Sequence, residues 1–367
     1  MKLSRRILLV GICICLLAAA AGCSKPKVTV KDSDKGNANK ENENEKTENE
    51  ESENKVKHDN RYLSFTVTGY EDYKIYNYTY DLETGQVENR GEIDQTAQYS
   101  LCVYDEKKNT LYYSNRIQEG ELKGCDQLFS KNLDSGEVTQ LTTDIFAINA
   151  IVPMDNGVFM LACGRKEHNV KPYYYDYKSG ELIYPNTDPD LIFWKMGYSA
   201  ADGTVFVTAY SEKEDMEVFD KYEDYGAPTT YIYKIQPEKS IEPVLIKEET
   251  SKNIFAITAE SEDICYYTTS NLSFNAWQDT PRNVLKYTVG NNEAEEAFVI
   301  STNYNVHGGI RFVDSDHIIF YGEEKKPSGT VIDSGVYLYN IKTEEAKKIF
   351  CDDYGFINNY IMLSGKD

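Results

Sequence analysis

The chain offers little that could break or make a bond. Its four histidines are His58, His168, His307 and His317, and none has a partner at metal-ligand spacing. There is no G-x-S-x-G elbow, no H-E-x-x-H helix and no phosphate-binding glycine loop. Carboxylates are so numerous that a glycosidase acid pair can be neither singled out nor excluded. The residues that stand out suit recognition instead. Ser211 to Pro228, SEKEDMEVFDKYEDYGAP, sets Glu212, Glu214, Asp215, Glu217, Asp220, Glu223 and Asp224 against only Lys213 and Lys221. Met216, Phe219, Tyr222 and Tyr225 are interleaved with these acids. NLSFNAWQDTPR, from Asn271, adds Phe274 and Trp277. Acids beside flat rings suit a basic peptide or protein, or a sugar stacked on the rings. The competing reading is that Phe219, Tyr225 and Trp277 pin their own loops to the domain. Calcium on the acidic segment is an alternative, but the D-x-D-x-D-G spacing is absent. No metal, no cofactor and no catalytic residue is assigned.

The elements that would carry these residues follow from an internal repeat. One unit is an apolar strand, a tight polar turn and a second apolar strand. It recurs as YSLCVYDEKKNTLYYSN, AINAIVPMDNGVFMLACG, KMGYSAADGTVFVTAYS, FAITAESEDICYYTTSN and GIRFVDSDHIIFYGEE. The turn acids Asp105, Asp155, Asp202, Glu262 and Asp314 come about every 52 residues. A second, Tyr- and Ile-rich strand pair follows each unit, as in QLFSKNLDSGEVTQLT and YYYDYKSGELIY. Alternating β-branched and aromatic residues bounded by Gly, Asn and Asp read as hairpins, and no stretch keeps a helical period for long.

Four strands per repeat predict an all-β fold, a β-propeller of four-stranded blades. Complete blades are expected at about 97–141, 147–184, 192–246, 254–300 and 307–350. The N-terminal segment from Arg61 supplies three strands without an inner one. The C-terminal GFINNYIMLSGKD supplies an inner strand alone. The two ends should therefore complete a sixth blade, which covers edges otherwise left open. Seven blades, with one divided out of the long fourth unit, is the alternative.

With strands named a to d from the axis outward, the b–c and d–a loops share one face. The b–c loops are the long ones, and long loops on a rigid scaffold are where binding resides. The candidate binding residues are therefore Phe219, Asp220, Tyr222, Tyr225, Phe274 and Trp277, with His307 near the channel mouth. Trp194, in LIFWKMGY, is expected to pack near the axis. His58 and His317 are expected to be solvated. The turns in MDNGVFML and ADGTVFVT, followed by LFSKNLDSGEVTQLT, resemble six-bladed propeller repeats of the TolB type. The strands LYYSN and ICYYTTSN are similar to bacterial lipoprotein propellers of the DUF5050 kind. The resemblance covers residues 61–367 and implies a partner-binding domain without transferring any residue.

The chain starts MKLSRRILLVGICICLLAAAAGCSK. A basic start, a short apolar run and small residues ahead of a cysteine read as an export signal over residues 1–22. It resembles bacterial lipoprotein signals, with Ala20 where leucine is usual. That resemblance implies diacylation of Cys23 and anchoring outside the cytoplasmic membrane. Positions 24–60 lack aromatics and are rich in Lys, Glu, Asn and Asp. Residues 23–60 read as a lipidated, disordered tether whose coil would span roughly 35 Å.

The formal charge of −21 argues against nucleic acid and against an anionic membrane as direct ligand. Cys102, Cys125, Cys163, Cys265 and Cys351 are scattered, so buried small hydrophobes are expected rather than a disulfide framework. The function these features favour is a non-catalytic extracytoplasmic module that binds an envelope protein, peptide or glycan. A glycan-active hydrolase or lyase is the alternative.

Overall fold

The computed structural model describes residues 60–94, 96–97, 99–223, 226–272, 281–325, 331–351, 353 and 355–366. The signal segment, Cys23, the tether to residue 59, Tyr225, Phe274 and Trp277 lie outside the described residues.

The repeat folds as expected, into six antiparallel four-stranded sheets. Blade 1 contains β1 (Arg61–Thr68), β2 (Ile75–Asp81) and β3 (Val87–Ile93). Blade 2 is β4 (Cys102–Asp105), β5 (Thr110–Arg116), β6 (Asp126–Asn132) and β7 (Val138–Gln140). Blade 3 is β8 (Ile145–Pro153), β9 (Gly157–Gly164), β10 (Val170–Asp176) and β11 (Leu182–Ile183). Blade 4 is β12 (Leu191–Tyr198), β13 (Val205–Ser211), β14 (Thr230–Gln236) and β15 (Ser240–Glu249). Blade 5 is β16 (Asn253–Ser261), β17 (Ile264–Ser270), β18 (Asn283–Thr288) and β19 (Glu295–Val299). Blade 6 is β20 (Tyr304–Phe312), β21 (His317–Lys325), β22 (Val331–Asn340) and β23 (Ala346–Phe350).

The last strand, β24 (Phe356–Ser364), pairs antiparallel with β1 as the inner strand of blade 1, so the ring has six blades and not seven. The junction is latched by Gly365 N–H donating to Asn60 O at 2.7 Å and by Arg61 Nη1 donating to Val313 O at 2.6 Å. Between blades 1 and 2 the buried edge of β4, which no strand pairs, is satisfied by side chains. Cys102 N–H donates to Thr66 Oγ1 at 2.9 Å, and Tyr104 N–H donates to Ser64 Oγ at 2.9 Å. Pairing these groups avoids the cost of buried, unbonded amides. The apolar core lies between blades, with Phe65, Phe159, Phe193, Phe206 and Phe320 fully buried. Cys102, Cys125, Cys163 and Cys265 are buried, Cys351 is half-buried, and all five are free thiols.

The repeated turn acids serve the turns. Asp105 Oδ1 accepts from Lys107 N–H at 2.9 Å, and Asp202 Oδ1 accepts from Thr204 N–H at 3.0 Å. His317 departs from its expected solvated state. Its Nδ1 lies 3.0 Å from Asp314 Oδ1 and its Nε2 lies 3.2 Å from Asn340 Nδ2, so the ring braces two turns of blade 6.

A helix forms where only strands and loops are expected. The b–c connection of blade 4 is α1 (Glu212–Tyr222). Ser211 caps it by accepting from Glu214 N–H at 3.0 Å. Asp190, from the preceding d–a segment, accepts from the Ser211 hydroxyl and from Lys213 N–H. Glu212, Glu214 and Asp215 occupy the first turn, where carboxylates complement the helix dipole. No residue of α1 is fully buried, so its propeller-facing side carries only a faint apolar period.

Candidate binding face

Within each antiparallel blade the b–c and d–a connections emerge together, and α1 stands on that face. Glu214 Oε1 accepts from both Thr229 N–H and Thr229 Oγ1 at 2.9 Å, which ties the returning chain to the helix. A Cβ on Gly226 would lie 2.6 Å from Val218 Cγ1, so glycine permits the close return. His168 Nε2, from the b–c loop of blade 3, sits 3.1 Å from Glu212 Oε2. In turn, Arg165 Nη2 donates to Glu121 O in the b–c loop of blade 2 at 3.2 Å. Neighbouring loops thus support one another across three blades.

The expected binding residues divide as follows. Phe219 is half-buried on α1, whereas Asp220 and Tyr222 are exposed on it. Met216 joins them on the outer side at 50% exposure, and the Lys221 ammonium lies 4.7 Å from the Tyr222 ring. His307 is exposed on β20, with Nε2 3.4 Å from Glu323 Oε2 and its ring 5.8 Å from that of Tyr321. Burial, followed by the charges of Glu212 and Glu214, raises Asp215 above the usual carboxylate range. By contrast, Asp72, Asp176, Asp190 and Asp316 are lowered by hydrogen bonds in which they accept. No group of three or more metal-ligating side chains occurs among the described residues.

Several rings were not foreseen from the sequence. Among the described residues the exposed aromatics are Tyr70, Tyr73, Tyr99, Phe146, Tyr184, Trp194, Tyr222 and Phe356. Each lies in a b–c or d–a segment, or on the half of an inner strand that opens to that face. Tyr70 and Phe356 meet edge to face at 4.7 Å. The a–b and c–d turns expose no aromatic ring among the described residues. Trp194 departs from its expected packing, being 39% exposed with the Lys195 ammonium 5.3 Å from its ring.

β-Bulges explain how the inner strands turn side chains toward the axis. Ladder register shifts at Ile145/Ala147, Phe193/Met196, Ile254/Ala256, Val306/Gly308 and in β24 opposite Thr66/Val67. The residues set aside there are Phe146, Trp194 with Lys195, Phe255, His307 and Asn358. They occupy corresponding places on five of the six inner strands. Lys195 and Arg311 were also missed, although each is a basic residue inside an apolar strand, in LIFWKMGY and GIRFVD.

No protein-family model and no curated protein matches the chain. Solved structures do. A chain of a nidogen/laminin complex is 9% identical, with TM-score 0.51 over 83% of this chain and all of that one. TolB from Acinetobacter baumannii is 9% identical, with TM-score 0.50 over 84% of this chain and 68% of its own. Oligogalacturonate lyase from Vibrio parahaemolyticus is 13% identical, with TM-score 0.48 over 78% of this chain and 71% of its own. At these identities the likeness establishes one thing: this chain shares the β-propeller fold of TolB.

Proposed function

We propose that this protein is a non-catalytic, extracytoplasmic binding module that captures a protein or peptide on its b–c/d–a face. The observation that carries this reading is the placement on that face of all eight rings exposed among the described residues. Large rings with polar tips dominate binding energy where a partner excludes water. TolB-type and lipoprotein propellers, which the repeats and the signal segment resemble, are consistent with such a role. In this reading diacylated Cys23 holds the module at the bacterial cell membrane, and residues 24–60 act as its leash. Two acyl chains suffice for stable anchoring.

A second reading, a glycan-active hydrolase or lyase, is favoured by one feature. Asp215 is the one described carboxyl with a raised proton affinity, and it sits on the same face.

The test is a crosslinked pull-down from native membranes using the full chain, beside Met216→Ala/Tyr222→Ala and Cys23→Ala. A specific protein should be captured by the wild type and lost by roughly 30-fold in the double variant, as for an aromatic hot spot. Cys23→Ala should leave the membrane fraction. Capture unchanged by the double variant would move the site elsewhere. Turnover of an envelope glycan that is abolished by Asp215→Asn would replace binding by catalysis.

A further inference from the structure

Two cations stand on inner strands with no acid paired to either among the described residues. Lys195 projects from β12 and Arg311 from β20. Blade 5 lies between them, and Thr258 of its inner strand β16 ties their heights together: a Cβ on Gly197 would lie 2.7 Å from Thr258 Cα, and Thr258 Oγ1 accepts from Phe312 N–H at 2.8 Å, so Lys195 and Arg311 stand at nearly one level on the inner strands. Arg311 Nη1 donates to Ile310 O at 3.0 Å and Nη2 donates to Tyr360 O at 2.9 Å. Its guanidinium lies 5.1 Å from the Tyr360 ring. These contacts fix the fork in place and neutralise nothing. Glycine at position 309, with φ +67°, makes room for the Tyr360 hydroxyl, which donates back to Gly309 O.

The Lys195 ammonium has the Trp194 ring beside it and no hydrogen-bond acceptor among the described residues. Its backbone N–H is satisfied by Thr208 Oγ1 at 3.1 Å, so the bulge is built and the side chain alone is left without an acceptor. Burial, then the Arg311 charge, push Lys195 below the ordinary lysine range. Burial does the same to Arg311.

This arrangement is costly, because an uncompensated cation withdrawn from water loses hydration energy. The chain has 60 Asp and Glu residues, so acids were abundant, yet none is placed against either group among the described residues. A bound anion would supply the missing charge. The far end of the channel is narrowed where the Ser364 hydroxyl donates to Ala200 O across the ring, from blade 1 to blade 4. The other end, toward the b–c and d–a face, is where the bulged residues Phe146, Trp194, Phe255, His307 and Asn358 lie on the inner strands.

We propose that the axial channel is a binding site for a ligand bearing a carboxylate or phosphate, held between Lys195 and Arg311 with its apolar or flat body against Trp194. The forked guanidinium suits the paired oxygens of either group, and the ammonium supplies a second point charge. The inference needs the loop face to be open, but it does not need the partner there to be a protein. The two readings can therefore fail separately.

The probes are acetate, glucuronate and inorganic phosphate, added to the purified chain at constant ionic strength against chloride. Thermal shift and the fluorescence of Trp194 in a Trp277→Phe background are the readouts. At least one probe should raise the melting temperature and change the emission, and which one responds separates carboxylate from phosphate. Lys195→Met should bind that probe at least ~10-fold more weakly, as expected for loss of a charge-assisted hydrogen bond. It should also melt higher than wild type in the absence of probe, because it removes an uncompensated cation. Arg311→Met should lose binding as well, and if it fails to fold Lys195→Met decides alone. The proposal is overturned if no probe acts beyond chloride, if the response survives Lys195→Met, or if that variant is less stable than wild type.

Discussion

Glu344 occupies a backbone position that glycine holds in three sister turns. The c–d turns start at Asp81, Asn132, Asp176 and Asn340, whose side chains each accept from the two amides that follow closely. Gly85, Gly136 and Gly180 then sit at φ 70°, 72° and 70°, and Glu344 sits at 60°. A left-handed L-residue costs about 1–2 kcal/mol, and glycine's greater unfolded-state freedom returns about 0.4–1 kcal/mol of that. Glu344→Gly should therefore stabilise the domain by about 0.5–1 kcal/mol, read as a small rise in melting temperature; a fall would mean that the glutamate makes a compensating contact. Such turn roles were partly legible, because the acids recur with the repeat. The bracing role of His317 was not legible, because Asn340 reaches it from another strand.

Helix α1 marks where pattern reading fell short at the level of elements. Its apolar period is faint, since it rests on the propeller without burying a residue fully. The signal that was present is local: Ser211 followed three residues later by Glu214, a capping-box spacing. The other half of the capping, Asp190, arrives from a different loop. The Ser211 hydroxyl, then the Lys213 amide, hold the Asp190 carboxyl below the usual range. The native state thus favours the carboxylate. Its contribution is complete above the unfolded value of about 3.9 and is lost as pH falls through the lower native value. Asp190→Ala should cost the helix ~1 kcal/mol at neutral pH. Faster amide hydrogen exchange within residues 214–219, with the blades unaffected, would be the sign. Unchanged exchange would show that Ser211 suffices as cap.

For the whole molecule the decisive contact is the one between the chain ends. β24 pairs with β1 along its length and buries Tyr360, Ile361, Met362 and Leu363. At about 1.5–3 kcal/mol for each buried side chain, their loss removes roughly 6–12 kcal/mol. That is comparable to the whole stability of a domain. Deleting residues 355–367 should therefore abolish the cooperative melt seen by circular dichroism; a truncated chain that still melts cooperatively would refute ring closure as the keystone.

The sequence by itself determined the repeat, the strand count per blade and the complementary ends, because period-two alternation and turn residues are local properties read along the chain. It also determined that acids and rings gather in the Ser211–Pro228 segment. Only the tertiary structure decided that Tyr70, Tyr99, Tyr184 and Phe356, far apart in sequence, share one face with Tyr222. It alone set Lys195 and Arg311 at nearly one level on the inner strands of blades 4 and 6. The reason is geometric: strand pattern specifies which residues are buried within a blade, whereas closure of the ring specifies which blades face each other through its centre.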